Sequence, residues 1–111
     1  MEKGFVLIFD EVMLSQLKIL GANEQTRKVL SRLLDKMEEL GPRAGELIDS
    51  HLFLYEMKIK RPPIRLYYWH IKETDELYVF EYELKTSEKK QRKTIQKLRK
   101  KVESKSQDPH E

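Results

Sequence analysis

Two runs of alternating apolar and polar residues meet at a pair of prolines, and this juncture restricts the fold more than any other part of the chain. Before Pro62-Pro63, the residues Phe53, Tyr55, Met57 and Ile59 alternate with Leu54, Glu56, Lys58 and Lys60. After it, Ile64, Leu66 and Tyr68 alternate with Arg65, Tyr67 and Trp69. A period of two marks a half-buried β-strand, so the stretch predicts a β-hairpin. Matching the apolar sets places Ile59 opposite Leu66, Lys60 opposite Arg65 and Lys58 opposite Tyr67, with both prolines inside a loop of about four residues. Like charges opposed across a strand pair repel by roughly some tenths of a kcal/mol. The basic face therefore calls for an anion or an acidic neighbour.

At 111 residues the chain predicts a single domain with one core, residues 1–105, followed by a frayed tail at 106–111. Cysteine is absent, which excludes disulfide frameworks and thiolate metal sites and fits a cytoplasmic setting. The apolar run Phe5 to Phe9 is broken by Asp10 and Glu11 and is too short for a signal peptide or a membrane span. A net charge of +3 conceals a division along the chain. Residues 1–84 carry 12 basic and 15 acidic side chains, residues 85–105 carry 10 and 2, and the last six carry 2 acidic ones. A basic block of this kind points to an anionic polymer as partner, the alternative being a solvated helix.

Residues 3–9 predict a first strand, and Asp10 an N-cap for a helix through Leu20. A second helix follows Asn23, with Val29, Leu30, Leu33, Leu34, Met37 and Leu40 in one apolar stripe that ends at Gly41-Pro42. Residues 43–51 read as a connection. Its His51 lacks a second ligand at useful spacing and is expected to be structural or incidental. Strands are predicted at 52–60, 64–71 and 76–84. In the last, alternation puts Tyr78, Phe80, Tyr82 and Leu84 on one face, with Glu81 or Glu83 near Arg65 on the other. His70 is expected at a strand end, partly buried. From Ser87 to Ser104 the residues favour a helix whose only apolar seam is Ile95, Leu98 and Val102. The expected fold is α+β, a mainly antiparallel sheet. Two N-terminal helices cover the face made by Phe53, Tyr55, Met57, Leu66, Tyr68, Phe80 and Tyr82, Arg65 points from the opposite face, and a basic C-terminal helix completes the domain.

This order of elements resembles the RelE/HigB superfamily of bacterial toxins, in particular its phage-derived Gp49-like branch. Leu40-Gly-Pro-Arg-Ala-Gly45 is similar to that branch's turn after the second helix, and Leu54-Tyr-Glu-Met-Lys58 to its Leu-x-x-Glu-Leu-Arg strand. Ile64-Arg-Leu-Tyr-Tyr68 matches the family's Arg-containing strand, and Val79-Phe-Glu-Tyr82 with Lys85-Thr86 falls where the family has an apolar strand and a Lys-Lys-Thr motif. The resemblance covers residues 25–102. It implies a RelE-like fold, mRNA cleavage on the translating ribosome and neutralisation by a cognate antitoxin, with no cofactor, no metal and no membrane. It carries a catalytic role onto Lys58, Arg65 and Lys85. Leu84 stands at the other lysine position, Glu88 at a usually basic one, and no residue here matches the family's C-terminal Tyr or His.

Metal-free RNA cleavage needs a base for the 2′-hydroxyl, a cation for the charge that builds on phosphorus, and an acid for the departing 5′-oxygen. Arg65 suits the second task, being permanently charged and able to donate two parallel bonds. Lys58 and Lys60 assist, since crowded cations shift a lysine toward the range where it exchanges protons. Glu81 or Tyr67 is the candidate base. Tyr67 and Trp69 offer flat surfaces to unstacked bases, and Lys60, Lys89, Lys90, Lys97 and Lys101 offer phosphate contacts. In the competing arrangement Arg65 pairs with Glu81 or Glu83, and the two aromatics pack beneath the terminal helix. A non-catalytic RNA-binding module and a regulatory interaction protein are the alternative functions.

Overall fold

The computed structural model describes residues 4–21, 23–84 and 86–106. Strand β1 (Leu7–Phe9) leads into helices α1 (Glu11–Leu20) and α2 (Glu24–Leu40). A 3-10 turn (Gly41–Ala44) follows, then strands β2 (Glu46–Asp49), β3 (Leu54–Lys60), β4 (Pro63–Ile71) and β5 (Glu76–Leu84), and helix α3 (Glu88–Ser106). The expected α+β class holds. Five strands lie in the order β1-β5-β4-β3-β2, with β1 parallel to β5 and every other pair antiparallel.

Local chemistry sets the helix ends. Asp10 accepts a hydrogen bond from the Val12 N–H at 3.0 Å and Asn23 one from the Thr26 N–H at 3.2 Å, so each N-cap satisfies a backbone donor that the helix leaves free. Gly41 closes α2 at φ 61°, its N–H donating to Met37. A Cβ there would fall 2.5 Å from the Phe5 ring, which leaves glycine as the residue that fits.

The sheet is covered on both faces. Against α1 and α2 it presents Met57, Ile64, Leu66, Tyr68, Leu77, Val79 and Tyr82, packed on Met13, Leu30, Leu33 and Met37. Against α3 it presents Leu54, Tyr67, Trp69 and Phe80, packed on Leu98 and Val102. The seam read from α3 thus docks as expected.

Several expectations are corrected. The hairpin register is shifted by two: Ile59 pairs with Ile64, Lys58 with Arg65, and Lys60 with Pro63. Only Arg61-Pro62 lies between the strands, joined by a cis peptide bond, an arrangement known for tight turns with proline at the third position. A shift of two keeps every side chain on its face, so Arg65 still points away from α1 and α2.

In β5 the alternation breaks. Tyr67 pairs with Glu81 but Tyr68 with Val79, leaving Phe80 as the extra residue of a bulge. Phe80 and Tyr78 therefore join the α3 side, together with Glu81 and Glu83, while Tyr82 stays with α1 and α2. Phe53 also changes sides, because its φ of 60° turns the chain before β3 begins. The supposed connection 43–51 contains β2, whose single partner is β3 and whose Leu47 is half exposed, so it lacks an alternating signature. Strand β1 begins at Leu7 rather than residue 3, and Ser106, assigned to the tail, is the last residue of α3. Residues 107–111 lie outside the described ones.

Polar contacts fix how α3 sits. Lys101 reaches Asp10 at 3.1 Å, Arg99 reaches Asp49 at 2.7 Å, and the Lys97 Nζ lies 2.9 and 3.2 Å from the two oxygens of Glu81. Burial alone would raise the Asp10 carboxyl, but the Val12 N–H, the Tyr78 hydroxyl and Lys101 outweigh it and hold the group below the usual carboxylate range. Asp49 is likewise lowered, burial being outweighed by Arg99 and by the Leu52 and His51 N–H groups.

A carboxyl depressed by folding stabilises the fold above its unfolded value and loses that contribution as pH falls through the folded one. Stability to urea, followed by the emission of Trp69 beneath α3, should therefore be level near neutrality and fall below about pH 4, where free aspartate titrates. An Asp10→Asn, Asp49→Asn double variant should be less stable at pH 7 and show a shallower acid decline. An unchanged acid profile in that variant would contradict this assignment.

Candidate nucleic-acid interface

The tip of the β3–β4 hairpin extends past the start of α3, so the face that α3 covers elsewhere is open there. A cleft of about 420 Å³ results, lined by Lys58, Ile59, Lys60, Pro63, Ile64, Arg65 and Thr86. Direct pairing of Lys58 with Arg65 sets two cations side by side, and Lys60 adds a third one pairing step away.

Neighbouring carboxylates offset this repulsion, Glu56 by direct contact and Glu83 from across the β4–β5 pair. The Arg65 Nη1 donates to Glu56 Oε2 at 2.6 Å, and the Gln91 side-chain amide of α3 donates to the same oxygen at 2.7 Å. Glu56 is 6% exposed, whereas the Arg65 side chain keeps 27% of its surface open. A guanidinium has five N–H donors, so the bond to Glu56 orients it and leaves others for a ligand. Three cations against Glu56 and Glu83, the latter directly across from Arg65 on β5, still leave an excess of positive charge, suited to phosphate oxygens.

The structure brings Lys58, Lys60 and Arg65 together as expected. Other assignments change. Glu81 lies beneath α3, paired with Lys97 rather than with Arg65, and it does not line the cleft. Tyr67 is fully buried, and its hydroxyl donates to Glu83 Oε1 at 2.9 Å. Burial first, and the Glu83 carboxylate next, push that hydroxyl far above its ordinary value, which removes it as a base. Trp69 is 9% exposed and stacked on Phe80, so neither aromatic offers a platform at the cleft. The reason in each case is the docking of Leu98 and Val102 over this face. Lys97 and Lys101 are tied to Glu81 and Asp10, while Lys89 and Lys90 are exposed on the first turn of α3. Lys85 lies outside the described residues.

Glu56, Gln91 and Thr86 complete the site although the sequence had assigned none of them a role there. Glu56 was within reach of the strand pattern, since it shares a face with Lys58 two residues on. The hairpin register shifted by two sets it diagonally across from Arg65. Gln91 carried no signal, because its contact depends on how α3 lies.

Comparison with solved structures identifies the architecture. The isolated E. coli RelE toxin matches with 20% identity over 85% of this chain and 98% of its own, at a TM-score of 0.58. The fold is RelE-like. A two-arginine mutant of E. coli RelE in the free state matches this RelE-like fold with 23% identity over 86% and 98% of the two chains, at a TM-score of 0.56. The intact E. coli RelBE toxin–antitoxin complex matches with 24% identity over 75% and 99%, at 0.51. No protein-family model and no curated protein sequence matches the chain.

The pairing pattern separates open from occupied cations. Lys58→Ala or Lys60→Ala should each reduce the slope of log affinity against log salt for single-stranded RNA by about 0.7. Lys97→Ala should change that slope far less, because its ammonium already faces Glu81. Equal slopes for all three variants would remove the distinction.

Proposed function

We propose that this chain is the toxin of a toxin–antitoxin pair, a metal-independent endoribonuclease that halts translation by cutting mRNA on the ribosome in the cytoplasm. The observation that carries the reading is the cationic cleft at the hairpin tip, with the oriented Arg65 in its wall, on a RelE-like fold. The Gp49-like motifs add to it. Among the described residues no helix is long and apolar enough to cross a membrane, and no group of three potential ligands is placed to hold a metal ion.

In this reading the scissile phosphate sits against Arg65; the 2′-hydroxyl gives its proton to solvent water as its oxygen attacks, and the free N–H donors of Arg65 meet the phosphate oxygens on which charge builds. Lys58 and Lys60 bind the neighbouring phosphates and are the groups placed to deliver a proton to the departing 5′-oxygen. Glu56 fixes the guanidinium plane through its 2.6 Å bond. Solved complexes pair E. coli RelE with the antitoxin RelB or a peptide of it, and a protein antitoxin that covers the cleft is the corresponding partner here.

One observation favours a second reading, a non-catalytic RNA-binding module: Glu81 and Tyr67, the residues considered as base, are buried beneath α3. Arg65→Ala separates the two. For a nuclease, cleavage of ribosome-bound mRNA should fall by at least about a hundredfold, the scale for losing one such donor, while RNA binding weakens much less. A folded parental protein that binds RNA but leaves it intact on ribosomes establishes the binding module instead. Growth arrest on expression, relieved by the neighbouring small gene product, is the expected cellular outcome for the toxin.

A further inference from the structure

At the far end of α3 from the cationic cleft, a second cleft of about 320 Å³ opens between the sheet and the last turn of the helix. Leu52, Phe53, Trp69 and Val102 contribute its apolar lining, and His51, His70, Lys72, Glu73 and Ser106 its polar groups. We propose that this cleft receives an unpaired nucleobase of the same RNA strand whose phosphates occupy the cationic cleft. The inference rests on the RNA-binding reading above and adds a subsite to it.

Three features support a base. First, the walls suit a flat heteroaromatic ring: an indole and a phenyl ring are joined by the His51 imidazole and the Lys72 ammonium, which can meet ring nitrogens and carbonyls as unstacked bases require, while the His70 Nε2 is held by Asp75 at 2.7 Å. The Lys72 Nζ already sits 4.6 Å from the centre of the Phe53 ring, so cationic and aromatic surfaces meet in the lining.

Second, the cleft is built before any ligand arrives. Phe53 adopts φ 60°, uncommon for an aromatic residue, and its carbonyl accepts from the His70 N–H at 3.0 Å. Asp49 accepts from the His51 and Leu52 N–H groups at 2.9 and 3.1 Å and also binds Arg99 of α3 at 2.7 Å. The segment before Phe53 is thereby fastened to the helix.

Third, exposed cations lead from the cationic cleft toward the second one. Lys89, Lys93 and Lys100 are exposed and recur at four- and seven-residue spacing along one stripe of α3, which starts at the end near Thr86 and stops short of the last turn, where Glu103 follows on the same side. Nineteen helical residues span roughly 28 Å, so a single strand of several nucleotides along this stripe reaches both ends.

The chain has one tryptophan, and it lines this cleft. The test titrates the intact protein with a short oligoadenylate and, separately, with inorganic polyphosphate, reading both affinity and Trp69 emission. Oligoadenylate should change the emission; polyphosphate should bind in a salt-dependent way without doing so. A His51→Ala, Lys72→Glu double variant alters only rim residues and should bind oligoadenylate about tenfold more weakly or worse, within the range for losing one stacked base, with much less effect on polyphosphate. Lys58→Ala should weaken both polymers yet leave the emission change at saturation. Oligoadenylate binding with unchanged Trp69 emission, or parental affinity in the double variant, overturns the base subsite and leaves the RNA reading standing. If neither polymer binds at low salt, both fall.

Discussion

The contact on which the rest of the structure depends is the docking of α3 across the sheet. Glu56, Glu81 and Glu83 are each 6% exposed on that face, and α3 carries the groups that answer them: Gln91, Lys97 and Thr94 respectively. A carboxylate left buried without its partner costs about 3–5 kcal/mol, whereas the intact contact contributes little net stability, because the carboxylate gives up its water to form it. The drive for docking comes instead from Leu98 and Val102. Each is worth about 1.5–3 kcal/mol when buried, and they cover Tyr67, Trp69 and Phe80. The apolar seam holds the helix on the sheet, and the polar pairs decide where along the sheet it rests.

That position determines which surface remains for a ligand. Had α3 been absent, the face would offer the aromatics Tyr67, Trp69 and Phe80 and three glutamates, a mixed surface poorly suited to the phosphates of RNA. With α3 in place the acids are answered and the aromatics largely covered, and the cationic open ground is the hairpin tip with its three basic residues. The same docking links the site to the helix, since Gln91 and Arg65 share one oxygen of Glu56. A displacement of the first turns of α3 therefore removes one of the two bonds that fix the carboxylate orienting Arg65.

Much of this was legible in the residues. Period-two runs located β3, β4 and β5 and put Arg65, Lys58 and Lys60 on one face, while Asp10, Asn23 and Gly41 marked the helix ends. What escaped had physical reasons. A bulge inserts a residue without a turn signal, so Phe80 reads as in phase with Tyr82 although it lies on the other side. Strand β2 has four residues and one neighbour, too few to show alternation. The assignment of Tyr67 and Trp69 to an open face failed because a helix with three apolar positions in nineteen reads as a solvated one. Its Thr94, buried against Glu83, packs as part of the seam without being apolar.

Charge counting is the last point at which sequence and structure part. The segment 85–105 has ten basic residues and two acidic ones, which suggests a uniformly cationic helix. Folded, it is two-sided: Lys97, Arg99 and Lys101 face sheet carboxylates, while Lys89, Lys93 and Lys100 face solvent. Opposite charges at ion-pair distance cancel most of each other's field beyond a Debye length of about 8–10 Å. What an approaching polyanion meets is therefore the solvent-facing stripe and the hairpin tip, a narrower and more directional field than the composition implies. Since the acids that neutralise the inner cations sit on β1, β2 and β5 or beside them, the polarity of this surface is a property of the assembled sheet and helix together. An isolated α3 would present the inner cations Lys97, Arg99 and Lys101 to a polyanion as readily as the outer ones and would not distinguish one stripe from another.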